Sequence, residues 1–293
     1  MNTPQNPSAA NQTPVWFITG CSTGFGLALA HHAIAQGYRT VVTARDPAQL
    51  DGFAANEQVL VLKLDVTDQS QVAEAIHAVE RHFGGIDVLV NNAGIGYFSA
   101  IEEGEEAQVR KMFEVNVFGL NRMVQAVLPG MRRRRSGCIV NLSSVGGIRG
   151  FAALGHYNAT KFAVEGLSEA LWQEVEPLGI KVMLVEPSGF RTDWAGRSAN
   201  ESAVQIADYA ATAGAVRAAV RTSSGQQPGD PVRAAQAIVK AVASGNPPHH
   251  LLLGNDAFKG AMAKLEELRK DFTAGEATAR GADFPKTTPA PSA

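Results

Sequence analysis

Tyr157 and Lys161 stand four residues apart in His156-Tyr157-Asn158-Ala159-Thr160-Lys161, and Ser144 precedes the tyrosine by thirteen residues. On a helix, positions i and i+4 share one face, so a phenol and an ammonium are brought toward one point. A phenol with a pKa of about 10 exchanges protons poorly at neutral pH. A neighbouring cation stabilises the phenolate and draws that pKa toward the working range. Ser144, the second serine of Val140-Asn141-Leu142-Ser143-Ser144, offers a hydroxyl that can hold a substrate oxygen beside Tyr157. The chemistry open to this set is proton transfer to or from an oxygen. A Tyr-x-x-x-Lys pair by itself is ordinary helix surface, so its meaning depends on what lies upstream.

Upstream lies Val15-Trp16-Phe17-Ile18-Thr19, an apolar run too short for a helix and rich in strand formers. Gly20-Cys21-Ser22-Thr23-Gly24-Phe25-Gly26 follows it, and then a helix-periodic stretch from Leu27 to Gln36. In a strand, glycine-rich turn and helix of this kind, the glycines admit phosphate oxygens to backbone N–H groups and the helix N-terminus favours negative charge. Ser22 and Thr23 add hydroxyl donors. The turn is not a P-loop, because no Gly-Lys-Ser/Thr closes it.

Together these residues resemble the short-chain dehydrogenase/reductase family, of the compact single-domain type. Thr19-Gly20-x-x-x-Gly24-x-Gly26 is similar to its cofactor turn, and Asn91-Asn92-Ala93-Gly94 to its motif after the fourth strand. Pro187-Ser188-Gly189-Phe190-Arg191-Thr192 is similar to its segment after the sixth strand, except that Ser188 stands where glycine is usual. The resemblance runs from about Val15 to His250-Leu251-Leu252-Leu253. It implies Ser144, Tyr157 and Lys161 as a catalytic triad, with Asn116 as a fourth member that holds a water linking Lys161 to solvent. The rival reading of Asn116 is the site of a local helix kink. The resemblance further implies cofactor contacts from Gly20, Ser22, Thr23, Gly24, Phe25 and Gly26, from Asp65 and Val66, and from Asn92, Ala93 and Gly94. Tyr157, Lys161, Pro187, Ser188, Phe190 and Thr192 complete the implied set. Asp65 would accept from the adenine amino group, or else cap the next helix, a task open also to Thr67 or Asp68.

The second strand ends Ala44-Arg45-Asp46. Sheets that bind NAD place a carboxylate at this tip for the ribose 2′-hydroxyl. With Ala44 at the tip and Arg45 next, a guanidinium is set for a 2′-phosphate, which favours NADP over NAD. A register shift of two would bring Asp46 to the ribose instead, and Asp46 also reads as a cap before Pro47.

The elements that must position these groups alternate along the chain. Strand patterns fall near Val15–Thr19, Arg39–Ala44, Val59–Leu64, Ile86–Val90, Gly137–Leu142, Lys181–Glu186 and His250–Leu253, with helical patterns between. The longest helices are expected at Glu105–Arg133, broken, and at His156–Leu178. Such alternation predicts an α/β fold, a Rossmann-type doubly wound parallel sheet of about seven strands with helices on both faces. The family resemblance implies the order 3-2-1-4-5-6-7. Ligands bind beyond the carboxyl ends of such strands, where every motif above falls. Residues 14–274 are expected to form one domain, with flexible tails at 1–13 and 275–293. Residues 188–230, rich in Ala, Ser and Gly around Trp194 and Tyr209, read as a substrate lid or as a plain surface helix pair.

Composition limits the alternatives. A net charge of −2 gives no general attraction to nucleic acid, and Arg132-Arg133-Arg134-Arg135 reads as solvated charge at a helix C-terminus. Cys21 and Cys138 make neither a disulfide framework nor a metal site. His31 and His32 have no metal partners at useful spacing, so no metal is expected. No apolar run reaches membrane-spanning length, the opening residues lack a signal-peptide pattern, and a cytoplasmic location follows as an expectation. The function expected is NADP(H)-dependent interconversion of a ketone or aldehyde with an alcohol on a small, apolar substrate, in a homodimer or homotetramer by family analogy. The rivals are a nucleotide sensor without turnover and a sugar-nucleotide epimerase or dehydratase. The first has no use for a proton donor. The second would carry a Gly-x-x-Gly-x-x-Gly turn and a larger C-terminal domain.

Overall fold

The computed structural model describes residues 13–284 apart from 197. The core strands are runs of Val, Ile and Leu buried along nearly their whole length, the pattern of a parallel sheet covered on both faces. In chain order the elements begin with β1 (Val15–Ile18), α1 (Gly24–Ala35), β2 (Arg39–Ala44), β3 (Val59–Lys63), α2 (Gln69–Phe83), β4 (Val88–Asn91) and β5 (Gly96–Phe98). They continue with α3 (Glu106–Phe113), α4 (Leu120–Arg134), β6 (Gly137–Leu142), α5 (Gly155–Val175), β7 (Ile180–Pro187) and β8 (Ala199–Glu201). The last are α6 (Ala215–Thr222), α7 (Pro231–Ala243), β9 (His250–Leu253), α8 (Asn255–Ala274) and α9 (Glu276–Gly281).

Seven strands form one sheet in the order β3-β2-β1-β4-β6-β7-β9, parallel throughout. This is the order the resemblance implied, and strand ends fall within two residues of expectation. Alternate side chains divide the core. Val15, Phe17, Leu89 and Ile139 meet α2, α4 and α5 on one face, while Trp16, Ile18, Val90 and Val140 meet α1 and α7 on the other. The order reverses between β1 and β4, which opens a crevice at their carboxyl ends.

Local signals explain the helix limits. Asp68 caps α2 by accepting from Ser70 N–H (2.9 Å) and Gln71 N–H (3.1 Å), and Gly84 stops it at φ 85°. Asp230 caps α7, and Pro231 begins it. The expected break in the long helix is real: a π-helical segment, Glu114–Gly119, joins α3 to α4 without interrupting the rod.

Two features differ from expectation. Residues 96–98 and 199–201 pair as a separate two-stranded parallel ribbon, β5 with β8, where the sequence reading had no strand. The stretch assigned to a tail from 275 continues as α9, supported by an Arg280–Glu276 ion pair (2.7 Å) one turn apart. The expected tail segments 1–12 and 285–293 lie outside the described residues. Among the described residues no helix is long and apolar enough to cross a membrane.

Candidate active site

α5 carries the reactive pair because its sheet-facing side is continuous: Tyr157, Lys161, Val164, Ser168, Leu171 and Val175 are all buried. Tyr157 and Lys161 occupy the first turns of that stripe, where it clears the ends of β6 and β7. Ser144 follows β6 directly and caps the turn Val145–Gly147 by accepting from Gly146 N–H (3.0 Å). Its hydroxyl and the Tyr157 ring border the same space, 3.4 and 3.5 Å from where a Gly146 Cβ would lie. Lys161 Nζ donates to the Leu142 carbonyl (2.7 Å) and lies 5.7 Å from the centre of the Tyr157 ring. The three expected catalytic groups therefore meet at one point.

Burial sets their electrostatics. It pushes the Tyr157 phenol above its ordinary value, and the Ser144 hydroxyl opposes that rise. It brings the Lys161 ammonium down to about 8, against the pull of the Glu165 carboxylate. The phenol thus holds its proton at neutral pH while the ammonium stands near its own titration.

Asn116 lies in the π-helical segment, buried, with its amide fully engaged. Its Oδ1 accepts from Ile95 N–H (2.8 Å), and its Nδ2 donates to the Ile95 carbonyl (2.9 Å) and to Thr160 Oγ1 (3.2 Å). It ties the π-helical segment to α5 one residue before Lys161. Of its two readings, the structure bears on the local one: the residue lies in the helix irregularity, next to the turn that carries Lys161.

The glycine-rich turn is built for close approach. Gly20 and Gly24 have φ of 71° and 59°, a region that disfavours other residues. A Cβ on Gly26 would lie 2.2 Å from the Gly20 carbonyl oxygen and 2.5 Å from Asn92 Nδ2. Asn92 Nδ2 donates to the carbonyls of Thr19 (2.8 Å) and Gly20 (2.9 Å), and Thr19 Oγ1 accepts from the N–H groups of Asn92 and Ala93 (both 2.9 Å). Sequence reasoning named Thr19 only as a motif member; its hydroxyl is the rivet between the turn and β4. Deeper, Asn91 donates to Asn141 and Asn141 to Ser168, joining β4, β6 and α5. An asparagine inside the apolar run of β6 was the signal that could have found this chain.

The N-terminus of α1 points from this turn, and Thr23 makes no side-chain cap there. Its first N–H groups remain available to an anion, as a dinucleotide pyrophosphate requires. The turn's donors and the absence of a Cβ at Gly26 thus fit a dinucleotide. At the tip of β2, Arg45 is exposed, and Asp46 caps the turn Pro47–Phe53 by accepting from Ala48 N–H (3.1 Å). Asp65 accepts from Thr67 N–H (2.9 Å) and Thr67 Oγ1 (2.7 Å), and leaves the capping of α2 to Asp68. Val66 is buried and packs where a Cβ on Gly119 would meet it at 2.6 Å.

The segment after β7 closes the other side. Ser188 N–H donates to the Leu253 carbonyl (3.0 Å), immediately beyond Pro187. Phe190 packs on Phe25 of the turn, centres 5.0 Å apart, and Thr192 sits 3.3 Å from where a Gly24 Cβ would lie. Trp194 rests on the Tyr157 ring (4.9 Å) and edge-on to Phe98 (5.5 Å). Around Tyr157 the packing is apolar: Ile95, Tyr97, Val109, Met112, Leu154 and Trp194. Tyr209 lies apart, against Ala100, Ala153 and Ala213, with its hydroxyl donating to Glu102 (2.6 Å).

Beyond Trp194 the segment is anchored by polar groups. Buried Glu103 accepts from Ala100 N–H (3.0 Å), Ile206 N–H (2.9 Å) and Arg217 (3.2 Å), and Arg221 donates to the carbonyls of Ala195, Gly196 and Ala199. A cavity of about 540 Å³ opens here, lined by Glu103, Tyr209, Arg217 and Arg221 but by none of Ser144, Tyr157 or Lys161. His156, at the start of α5, fills the niche left by Gly104 and approaches the Ile101 carbonyl (3.3 Å). In the arginine run, Arg134 bonds the Ile86 carbonyl, Arg135 the Pro177 carbonyl (2.9 Å) and Arg133 pairs with Glu80 (3.6 Å).

Comparison with known proteins shows the family and the fold. A family model described as short chain dehydrogenase matches residues 14–203. The chain is 40% identical over 259 residues to the oxidoreductase BOA17 of Botryotinia fuckeliana, covering 87% of this chain and 94% of that one. It is 39% identical over 245 residues to a 3-ketodihydrosphingosine reductase of Bacteroides thetaiotaomicron, covering 83% and 88%. Among solved structures, a short-chain dehydrogenase from Streptomyces avermitilis superposes with a TM-score of 0.86 at 41% identity, over 92% of this chain and all of that one. An alcohol dehydrogenase of Thermococcus sibiricus, complexed with 5-hydroxy-NADP, is similar at 27% identity and TM-score 0.68, covering 83% and 96%. A family protein of Burkholderia phymatum in complex with NAD is similar at 26% and 0.73, covering 94% and 98%.

Proposed function

This chain belongs to the short-chain dehydrogenase family of oxidoreductases, and from that premise we propose that it interconverts an apolar ketone or aldehyde with its alcohol, using NADP(H). The observation that carries the reading is the meeting of Ser144, Tyr157 and buried Lys161 beside a glycine-rich turn that fits a dinucleotide. A bound nicotinamide dinucleotide supplies or receives the hydride. The turn from Gly20 to Gly26, with Asp65, Asn92, Lys161 and the segment 187–192, would hold it. In reduction, the hydroxyls of Ser144 and Tyr157 bind the carbonyl oxygen, and Tyr157 gives up its proton as that oxygen becomes an alkoxide. Lys161 offsets the charge left on the phenolate, and Asn116 orders the path of proton resupply. Oxidation uses the same groups in reverse.

Arg45 supports the choice of NADP. It stands exposed at the tip of β2, whereas Asp46 is occupied as a cap. Trp194 and the apolar groups around Tyr157 support an apolar substrate. We read residues 188–230 as the element that closes over it, with the polar anchors at Glu103 as its fixed end.

The test is Tyr157→Phe. This variant should bind NADPH like the parent and lose reduction of a panel of ketones by at least ~10²–10⁴-fold, the contribution typical of general acid–base catalysis. Turnover near that of the parent would reject the mechanism.

A further inference from the structure

Behind Lys161, away from the substrate side, lies a second group of ionisable side chains that the reaction as described does not use. Glu165 is one turn further along α5 and buried. Ser143, the neighbour of Ser144, donates its hydroxyl to Glu165 Oε1. The loop that carries Ser144 also closes on this carboxylate: a Cβ on Gly147 would lie 2.8 Å from Glu165 Oε1. On the far side, Glu165 Oε2 is 3.9 Å from His250 Nδ1, which in turn is 2.6 Å from Glu186 Oε1. Glu186, on β7, is wholly buried, and its Oε2 has no hydrogen-bond partner among the described residues. His250, on β9, is 47% exposed and brings the chain of contacts to the surface.

A metal ion is a poor occupant of this cluster. Two ligands of one tetrahedral ion at ~2.1 Å stand roughly 3.4 Å apart, whereas His250 and Glu186 are at hydrogen-bond distance. Around Glu165 stand Ser143, just past β6 and bonded to it, His250 from β9 at 3.9 Å and Glu186 from β7, with ligand atoms of Glu165, Glu186 and His250 within 4.8 Å of one another, and Lys161 is buried one turn earlier on α5. Glu169, a further turn along α5, acts on His250. His249 is engaged elsewhere, stacked on Trp172 and bonded to Glu176 (2.7 Å).

We propose that Glu165 is a positioning residue that sets the charge on Lys161, and that its own ionisation is set by Ser143, Glu186 and His250 along a line reaching the surface. This rests on the reading of Lys161 as the support of Tyr157. The electrostatics agree with the geometry. Burial lifts the Glu165 carboxyl to about 7; the Ser143 hydrogen bond opposes this, Glu186 adds to it, and His250 and Lys161 oppose it. Glu165 is the group that opposes the burial-driven fall of Lys161 to about 8. An ionised Glu165 keeps Lys161 charged to higher pH, and a neutral one lets it lose its proton sooner.

The experiment is a titration of Lys161 in the full-length, cofactor-free protein labelled with [ε-¹³C]lysine, its signal assigned with Lys161→Arg. Glu165→Gln keeps the shape and an acceptor for Ser143 but removes the charge, so the Lys161 midpoint should fall by about one pH unit. Glu165→Asp keeps the charge and should restore the midpoint. Ser143→Ala, a milder change, removes the bond that holds Glu165 ionised and should lower the Lys161 midpoint in the same direction, by less. The alkaline limb of kcat/KM for NADPH-dependent reduction of 2-decanone or acetophenone should follow the same order. An unchanged midpoint in folded Glu165→Gln, or in Ser143→Ala if the first variant does not fold, overturns the proposal. If Tyr157→Phe keeps its turnover while Glu165→Gln still shifts Lys161, the reaction mechanism fails and the coupling stands.

Discussion

At Gly26 the space for a single methyl group separates two backbones that must touch. A Cβ there meets both the Gly20 carbonyl and the Asn92 amide at under 3 Å, and neither can withdraw without loosening the turn from β4. Gly26→Ala should therefore weaken cofactor binding and cost about 1–3 kcal/mol of stability, as overpacking does; calorimetric titration and thermal unfolding would read both. Arg45→Ala carries a different signature. A charge-assisted hydrogen bond contributes roughly 1.5–3 kcal/mol, so affinity for NADP should drop about 10- to 150-fold while that for NAD stays. Equal affinities for the two cofactors in the parent protein would refute this assignment. Residues at this scale were legible when their type announced chemistry, as with Tyr157, Lys161 and the glycines. Thr19, Asn141 and Glu165 were not, because such a polar residue gains its meaning only from partners distant in sequence, such as Asn92 for Thr19, Asn91 for Asn141 and His250 for Glu165. The alternatives for Asp46 and Asp65 likewise waited on which backbone N–H groups lay within reach.

Elements were legible wherever periodicity was strong. Seven strands and the broken helix before β6 follow from pattern, whereas the strand order came only from the family resemblance. The ribbon of β5 and β8 does not, since three residues are too few to show alternation and its partners are a hundred positions apart. The segment 188–230 was expected to have little apolar anchoring because its residues are small. Its anchors are instead hydrogen bonds and ion pairs centred on Glu103, which hydropathy does not register. Glu103→Gln removes the buried partner of Arg217 and leaves it only the longer contact to Glu201 (3.9 Å), a change that costs up to about 3–5 kcal/mol where it is fully felt. Amides 198–221 should then exchange roughly 100-fold faster, or more, while those of β1, β4 and β6 are unchanged. Equally slow exchange would mean that the segment is held by other contacts. The pH sign is also fixed. The backbone bond from Ile206, with help from Ala100 and Arg217, holds the Glu103 carboxyl below its usual range. Its stabilising contribution is present above the unfolded value of about 4.3 and is lost as pH falls through the lower folded value.

The whole molecule carries a pH signature that no single motif suggests. The folded protein keeps the Glu165 proton to about pH 7, whereas the unfolded chain releases it near 4.3. Across that window the folded state binds more protons, so stability falls as pH rises, by at most roughly 1.4 kcal/mol per pH unit. His250 is raised above its ordinary value chiefly by the Glu186 hydrogen bond. Its contribution is full below about 6.5 and is lost as pH climbs through the folded value. Lys161 acts in the opposite direction from about 8 upward, where the unfolded chain holds more protons and stability recovers. Urea unfolding of the cofactor-free protein should show greater stability at pH 5 than at pH 7, and Glu165→Gln should flatten that slope. A parent protein with constant stability across the window would contradict the burial of these groups. The same architecture distributes its three tryptophans so that each reports from one region. Trp16 lies in the dry core, Trp172 lies against His249 and His250 near the surface, and Trp194 rests on the ring of Tyr157. Light absorbed at the indole of Trp194 is thus emitted, quenched or passed on according to what occupies the space beside Tyr157. The protein contains its own optical gauge of that space, and Trp194→Phe should abolish the change in emission on adding NADPH while the signals of Trp16 and Trp172 persist.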